Sequence, residues 1–155
     1  LTAGLIAAIR FITKVTGAPL FGVITDKVNR MGLMLASLAM MTAAFGFFGL
    51  ITNPFGFAMM VAAFLMGFAE SAESIASQSL LAQEAPAHLR GSTVGVFSFL
   101  GTTTMAGINL LGGYLFDKVG FSSPMLMEGV FHLLVLIISI WILQRDRPRA
   151  KGNRD

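Results

Sequence analysis

GVITDKVNR, Gly22 to Arg30, closes one long apolar run, and GYLFDKVGF, Gly113 to Phe121, closes another. Each places a glycine four residues before an aspartate and follows the aspartate with lysine and valine. Charge is scarce elsewhere. Only 12% of the 155 residues are charged and 55% are hydrophobic, whereas a soluble domain carries about 25% charged residues. Mean hydropathy is +0.76. A chain so composed meets lipid over most of its surface, and the paired Asp-Lys sites mark where it leaves that lipid. The chain has no cysteine, which excludes disulfides, thiolate nucleophiles and zinc-cysteine centres.

Working outward from these sites, the apolar runs divide into five predicted spans, residues 2–24, 31–52, 55–82, 91–116 and 123–143. Each is near or above the roughly 20 residues that cross about 30 Å of hydrocarbon. Lipid offers no partner for backbone amides, and the runs lack the two-residue alternation of a barrel, so helices are expected throughout. The fold class is therefore all-α, a polytopic membrane protein. Pro19, Pro54, Pro86 and Pro124 are expected at or near span ends, where a missing N–H costs little. The chain opens on Leu1 within an apolar run, with no basic leader and no small-residue cleavage site. It is expected to be a piece of a longer protein.

Five spans place alternate loops on opposite sides. One side collects Lys27, Arg30, Arg90, Arg145, Arg147, Arg149, Lys151 and Arg154, and the other only Lys118. The positive-inside rule assigns the first side, and with it the C-terminus, to the cytoplasm of a cell membrane. Trp141 and Tyr114 stand where aromatic belts form. Residues 1–143 are thus the transmembrane part. Residues 144–155, QRDRPRAKGNRD, read as a basic solvated tail that contacts lipid headgroups rather than nucleic acid.

Within the first of the paired sites, Gly22 would admit a neighbouring backbone. Asp26 would accept N–H groups from a neighbouring helix N-terminus. Lys27 and Arg30 are available to carboxylates and lipid phosphates, and Asn29 tolerates a left-handed turn. The plainer reading is a tight turn with positive-inside charges. The stretch resembles the signature loop of the major facilitator superfamily, G-x-L-x-D-[RK]-x-G-[RK]-[RK], at Gly22, Ile24, Asp26, Lys27 and Arg30, with Asn29 and Met31 departing from it. EAPAHLRGSTVG, Glu84 to Gly95, with Arg90 in it, resembles the family's loop into the eleventh helix. GGYLFDKVG, Gly112 to Gly120, followed by Pro124, resembles the outer end of that helix. The resemblance covers nearly the whole chain. It implies helices eight to twelve of a twelve-helix transporter, with the amino-terminal half of the same chain as the missing partner. In such a fold, inverted repeats would set one copy of the motif inside and the other, carrying Gly113 and Asp117, outside. Chance and common turn chemistry are the competing account of the second copy.

A charge at mid-bilayer costs about 2.5–3.5 kcal/mol on insertion scales, so charges inside spans require partners. Arg10 and Lys14 share a face with Thr13 and Gly17, and Glu70 and Glu73 share one with Ser74 and Ser77. Lys14 and Arg10 are expected to face Glu70 or Glu73 across a cavity. The functional reading is a substrate or proton relay, and the structural one an ion pair that fixes two helices. Glu128 and His132 are four apart and are expected to make a local polar contact in a peripheral helix. Gly91, Gly95, Ser98, Thr102, Ala106, Asn109 and Gly113 line one face of the fourth span. That face suits close packing or a sliding contact with the other half, and Asn109 could meet substrate.

Together these residues lead to a secondary active transporter of a small organic solute, working by alternating access, proton-coupled and drug-efflux-like. Asp26 and Arg30 would serve the gate, and Arg10, Lys14, Glu70 and Glu73 the cavity. A membrane-integral acyl- or phosphotransferase is the first alternative, but the chain lacks His-x-x-x-x-Asp, a paired Asp motif, a phosphate-cradling glycine loop and a placed Ser-His-Asp set. A non-transporting scaffold is the second. No cofactor and no metal are expected, since two histidines make a poor metal site.

Overall fold

The computed structural model describes residues 2–51, 53 and 56–151, with side chains from residue 4 to residue 145 of that set. Five helices follow one another: α1 (Thr2–Lys27), α2 (Arg30–Gly49), α3 (Phe57–Glu84), α4 (Arg90–Lys118) and α5 (Ser123–Lys151). At 1.5 Å per residue the shortest is about 30 Å long. All five are long and apolar enough to span a membrane. No strand occurs among the described residues.

Three threonine hydroxyls within the spans turn back on their own helices. Thr13 donates to the Ile9 carbonyl at 2.7 Å, Thr25 to Phe21 at 2.6 Å and Thr42 to Leu38 at 2.9 Å. Such bonds satisfy a polar side chain without a neighbouring helix. Helix ends are treated individually. Asn29 caps α2, its side chain accepting from the Met31 amide at 3.0 Å. Its φ of −61° is ordinary extended backbone, so the left-handed turn expected there does not form. A cap fits because only one residue, Val28, separates it from α1. Gly120 alone among the described residues takes positive φ, +130°. It turns the chain from α4 into α5, where Ser123 Oγ donates to the Leu115 and Gly120 carbonyls at 2.9 and 2.6 Å.

One proline expectation changes. Pro19 lies inside α1, well before its end. There it removes one backbone bond and the helix continues. Pro124 sits in the first turn of α5, where a missing N–H is free. Pro54 and Arg154 lie outside the described residues. The basic tail begins as an extension of α5 through Lys151, so no break in secondary structure marks residue 144.

The core forms where α2 meets α3. Leu38, Phe45, Met59, Ala62, Met66 and Ala69 are buried there. α3 also packs against α1, and α2 also packs against α5. Small residues set the spacing. Gly17 meets the Ser71 side chain, with 3.1 Å between the place of its missing Cβ and Ser71 Oγ. Gly67 lies directly against the Arg10 carbonyl, Gly49 against the Leu126 side chain, and Gly129 against Gly46 and Phe45. Gly22, in contrast, has no atom near its missing Cβ among the described residues. Among the described residues the close approaches fall at Gly17 and Gly67. α4 stands apart. Only Gly112 is buried on it, and it touches α5 chiefly near Pro124.

A candidate charged cluster inside the bundle

The α1–α3 crossing explains the first half of the cluster. Because Gly67 has no side chain, the Arg10 backbone presses onto α3, and the Arg10 guanidinium then reaches Glu70 on the same helix one turn on. Lys14, one turn along α1, approaches the other oxygen of that carboxylate, Nζ to Oε2 at 3.4 Å. Two cations therefore share Glu70, whose side chain is 13% exposed. The spans do bring Arg10, Lys14 and Glu70 together as the sequence predicts. The arrangement is an ion triad at a helix crossing.

Glu73 takes a different partner. His132 Nε2 on α5 is 3.6 Å from Glu73 Oε2. The same ring stacks on Phe45 of α2, centroids 5.4 Å apart and planes at 12°. Phe45 is 1% exposed, and the Arg10 guanidinium carbon stands 6.0 Å from its ring centre. One buried ring thus lies next to both halves of the cluster. His132 also makes the local contact expected of it, but with the Glu128 backbone: Nδ1 is 2.8 Å from that carbonyl oxygen. The link to Glu73 joins residues far apart in the chain, and a signal for it existed. His132 is the sole histidine within a span, and such a residue needs a partner.

At the end of the bundle that carries the α1–α2 and α3–α4 connections, Arg30 Nη1 donates to Gln83 Oε1 at 2.9 Å. A cleft of about 400 Å³ opens beside them, lined by Val28 to Met31, Leu80, Gln83 and Glu84. Asp26 and Lys27 are exposed next to it. The helix N-terminus expected to bind Asp26 does not reach it among the described residues. Arg90, Asn109, Gly113 and Asp117 are all exposed on α4. None of them joins the cluster, because α4 touches α3 only slightly. The small-residue face from Gly91 to Gly113 likewise finds no partner among the described residues: Gly91, Gly95 and Gly113 each have open space at the missing Cβ.

Five apolar helices, with charged side chains paired between them, define a multi-pass helical membrane protein. Its family follows from comparison. The family model of the Major Facilitator Superfamily matches residues 1–155, and the chain belongs to that superfamily. The chain is 26% identical over 155 residues to the multi-drug resistance efflux pump PmrA of Streptococcus pneumoniae, covering 96% of this chain and 37% of that protein. It is 27% identical over 159 residues to the multidrug resistance protein MdtG of Dickeya zeae, covering 98% and 37%. It is 25% identical over 151 residues to the magnetosome protein MamH of Paramagnetospirillum magneticum, covering 97% and 35%. The chain therefore spans about a third of the length of these relatives. Family and relatives point to a transporter rather than an enzyme.

Proposed function

We propose that the chain supplies helices eight to twelve of a secondary active transporter that moves a small organic solute by alternating access, coupled to protons. The observation that carries this reading is the cluster itself. Three helices contribute Arg10, Lys14, Glu70, Glu73 and His132 inside spans, where ionised groups are expensive and mark transport or proton pathways. The names of the relatives PmrA and MdtG favour a drug-like solute. Glu70, held by two cations, suits the structural role of fixing α1 on α3. Glu73, free of both, suits the relay. Arg30, near Asp26 and Lys27, belongs to the gate on the cytoplasmic side, the side that the positive-inside rule assigns to the C-terminus. Lipid and the amino-terminal half of the same chain are the partners in this reading, and nucleic acid is not.

The test uses the full-length protein in proteoliposomes. An imposed proton gradient is expected to drive ethidium across the membrane, and Glu73→Gln to abolish the dependence on that gradient. Transport and pH dependence that survive both Glu70→Gln and Glu73→Gln would remove the relay.

A further inference from the structure

We propose that His132 and Glu73 together bind one exchangeable proton, and that this proton is what ties α5 to α3. The geometry of the ring carries the proposal. Nδ1 faces the Glu128 carbonyl oxygen at 2.8 Å, and Nε2 faces a Glu73 carboxylate oxygen at 3.6 Å. Both partners are acceptors. A neutral imidazole has one N–H and one lone pair. With the hydrogen on Nδ1, the carbonyl is satisfied and the Nε2 lone pair opposes a carboxylate. With the hydrogen on Nε2, the carboxylate faces an N–H and the Nδ1 lone pair opposes the carbonyl. Both contacts are attractive together only when one more proton is present, on the ring or on Glu73. Its departure to water leaves a carboxylate and a lone pair face to face.

The surroundings agree on the number of protons. Glu128 lies on α5 within electrostatic reach of His132, Glu70 and Arg10. α3 adds Glu70 beside Glu73, and α1 adds Arg10 and Lys14, both engaged with Glu70. α2 contributes the Phe45 ring, and its one charged residue, Arg30, is at its far end. The charges of α4, at Arg90, Asp117 and Lys118, lie at its two ends. With a neutral ring, Glu70, Glu73 and Glu128 stand against Arg10 and Lys14, and one bound proton among the set makes it neutral, as a low-dielectric interior favours. α2 packs against both α3 and α5, which have no extensive contact with each other. The proton-bearing pair therefore bridges them past Phe45. The inference names the coupling site of the transporter reading and rests on that reading for its use, while its chemistry stands on the ring contacts.

The measurement is nitrogen NMR on histidine-labelled full-length protein in lipid nanodiscs, with His132 assigned by the signal lost in His132→Asn. Glu73→Gln should lower the doubly protonated fraction of His132 at pH 7 about fivefold or more. An unchanged fraction overturns the proposal. A second measurement needs no variant: infrared difference spectra of the wild type across the His132 titration. A carboxylate band that changes together with the imidazolium signal supports the shared proton, and a titration without any carboxylate response overturns it. Neither readout uses a transported solute, so the failure of the transport reading and the failure of the proton site are separate results.

Discussion

Glu70 and Glu73 are three residues apart on one helix and carry the same chemistry, yet the fold gives them different company. Glu70 holds Arg10 and Lys14, whereas Glu73 holds His132. Removing the Glu70 charge strands two cations, and removing Lys14 leaves the Arg10 pair intact. Glu70→Gln should therefore lower stability by roughly 1–3 kcal/mol, the low side of a buried-pair loss because both cations are partly exposed. Lys14→Gln should cost visibly less, and reversible unfolding in mixed micelles orders the two. Glycines separate in the same way. A methyl group at Gly67 runs into the Arg10 carbonyl, so Gly67→Ala should cost about 1–3 kcal/mol by forcing α1 off α3. At Gly22 a methyl group meets nothing among the described residues. Gly22→Ala should stay within about 0.5 kcal/mol of wild type or gain slightly from helix propensity.

Among the elements, α2 and α3 form the body, and α4 is the member with least to hold it. Its span shows almost no burial, although it carries the long face of small residues. Among the described residues that face meets nothing at Gly91, Gly95 and Gly113. A sliding contact with the other half is the use we propose for it. On that reading, Gly95→Leu leaves membrane insertion unchanged and cuts transport more than tenfold, a loss of about 1.4 kcal/mol or more in function alone. Equal losses of insertion and transport would count against it, and quantitative membrane blots beside uptake rates give both numbers. α5 shows the opposite case. It is seated on α2 by Gly129 against Phe45 and by Leu126 against Gly49. That seating carries His132 inward, so the helix expected at the periphery takes part in the cluster.

For the whole molecule, the even alternation of five helices sets the α1–α2 and α3–α4 connections and the end of α5 on one side. On the orientation we propose from the charge bias, that side is the cytoplasmic one. Because the chain has no cysteine, single introduced cysteines report the orientation cleanly. Cysteines at Val28 and Arg145 should react with an impermeant maleimide only from the cytoplasmic face, and one at Phe121 only from outside. The reverse pattern would invert the topology and move the Arg30 cleft to the outer surface. Trp141 lies near that same end of α5, with the Arg145 guanidinium 5.5 Å above its ring, a pairing that suits an interface where one group is apolar and the other wet.

Class and span number were legible in residue order alone, because the cost of unpaired backbone in lipid leaves few solutions for runs of this length. The predicted span edges fall within about three residues of the helix ends except at the last, where α5 runs on to Lys151, and the excess of basic residues on alternate loops needs no coordinates to be seen. Opposite charges stranded in different spans also announced that α1 and α3 would meet, since neither could be left in lipid. The tertiary structure alone decided which partners they found. Gly67 sets the α1–α3 crossing, because close approach depends on what lies opposite a glycine and not on the glycine. Asp26 stays exposed because no helix N-terminus is aimed at it among the described residues. His132 meets Glu73 because α5 is seated on α2 at Phe45, a packing choice between residues far apart in the chain and therefore written in no local spacing.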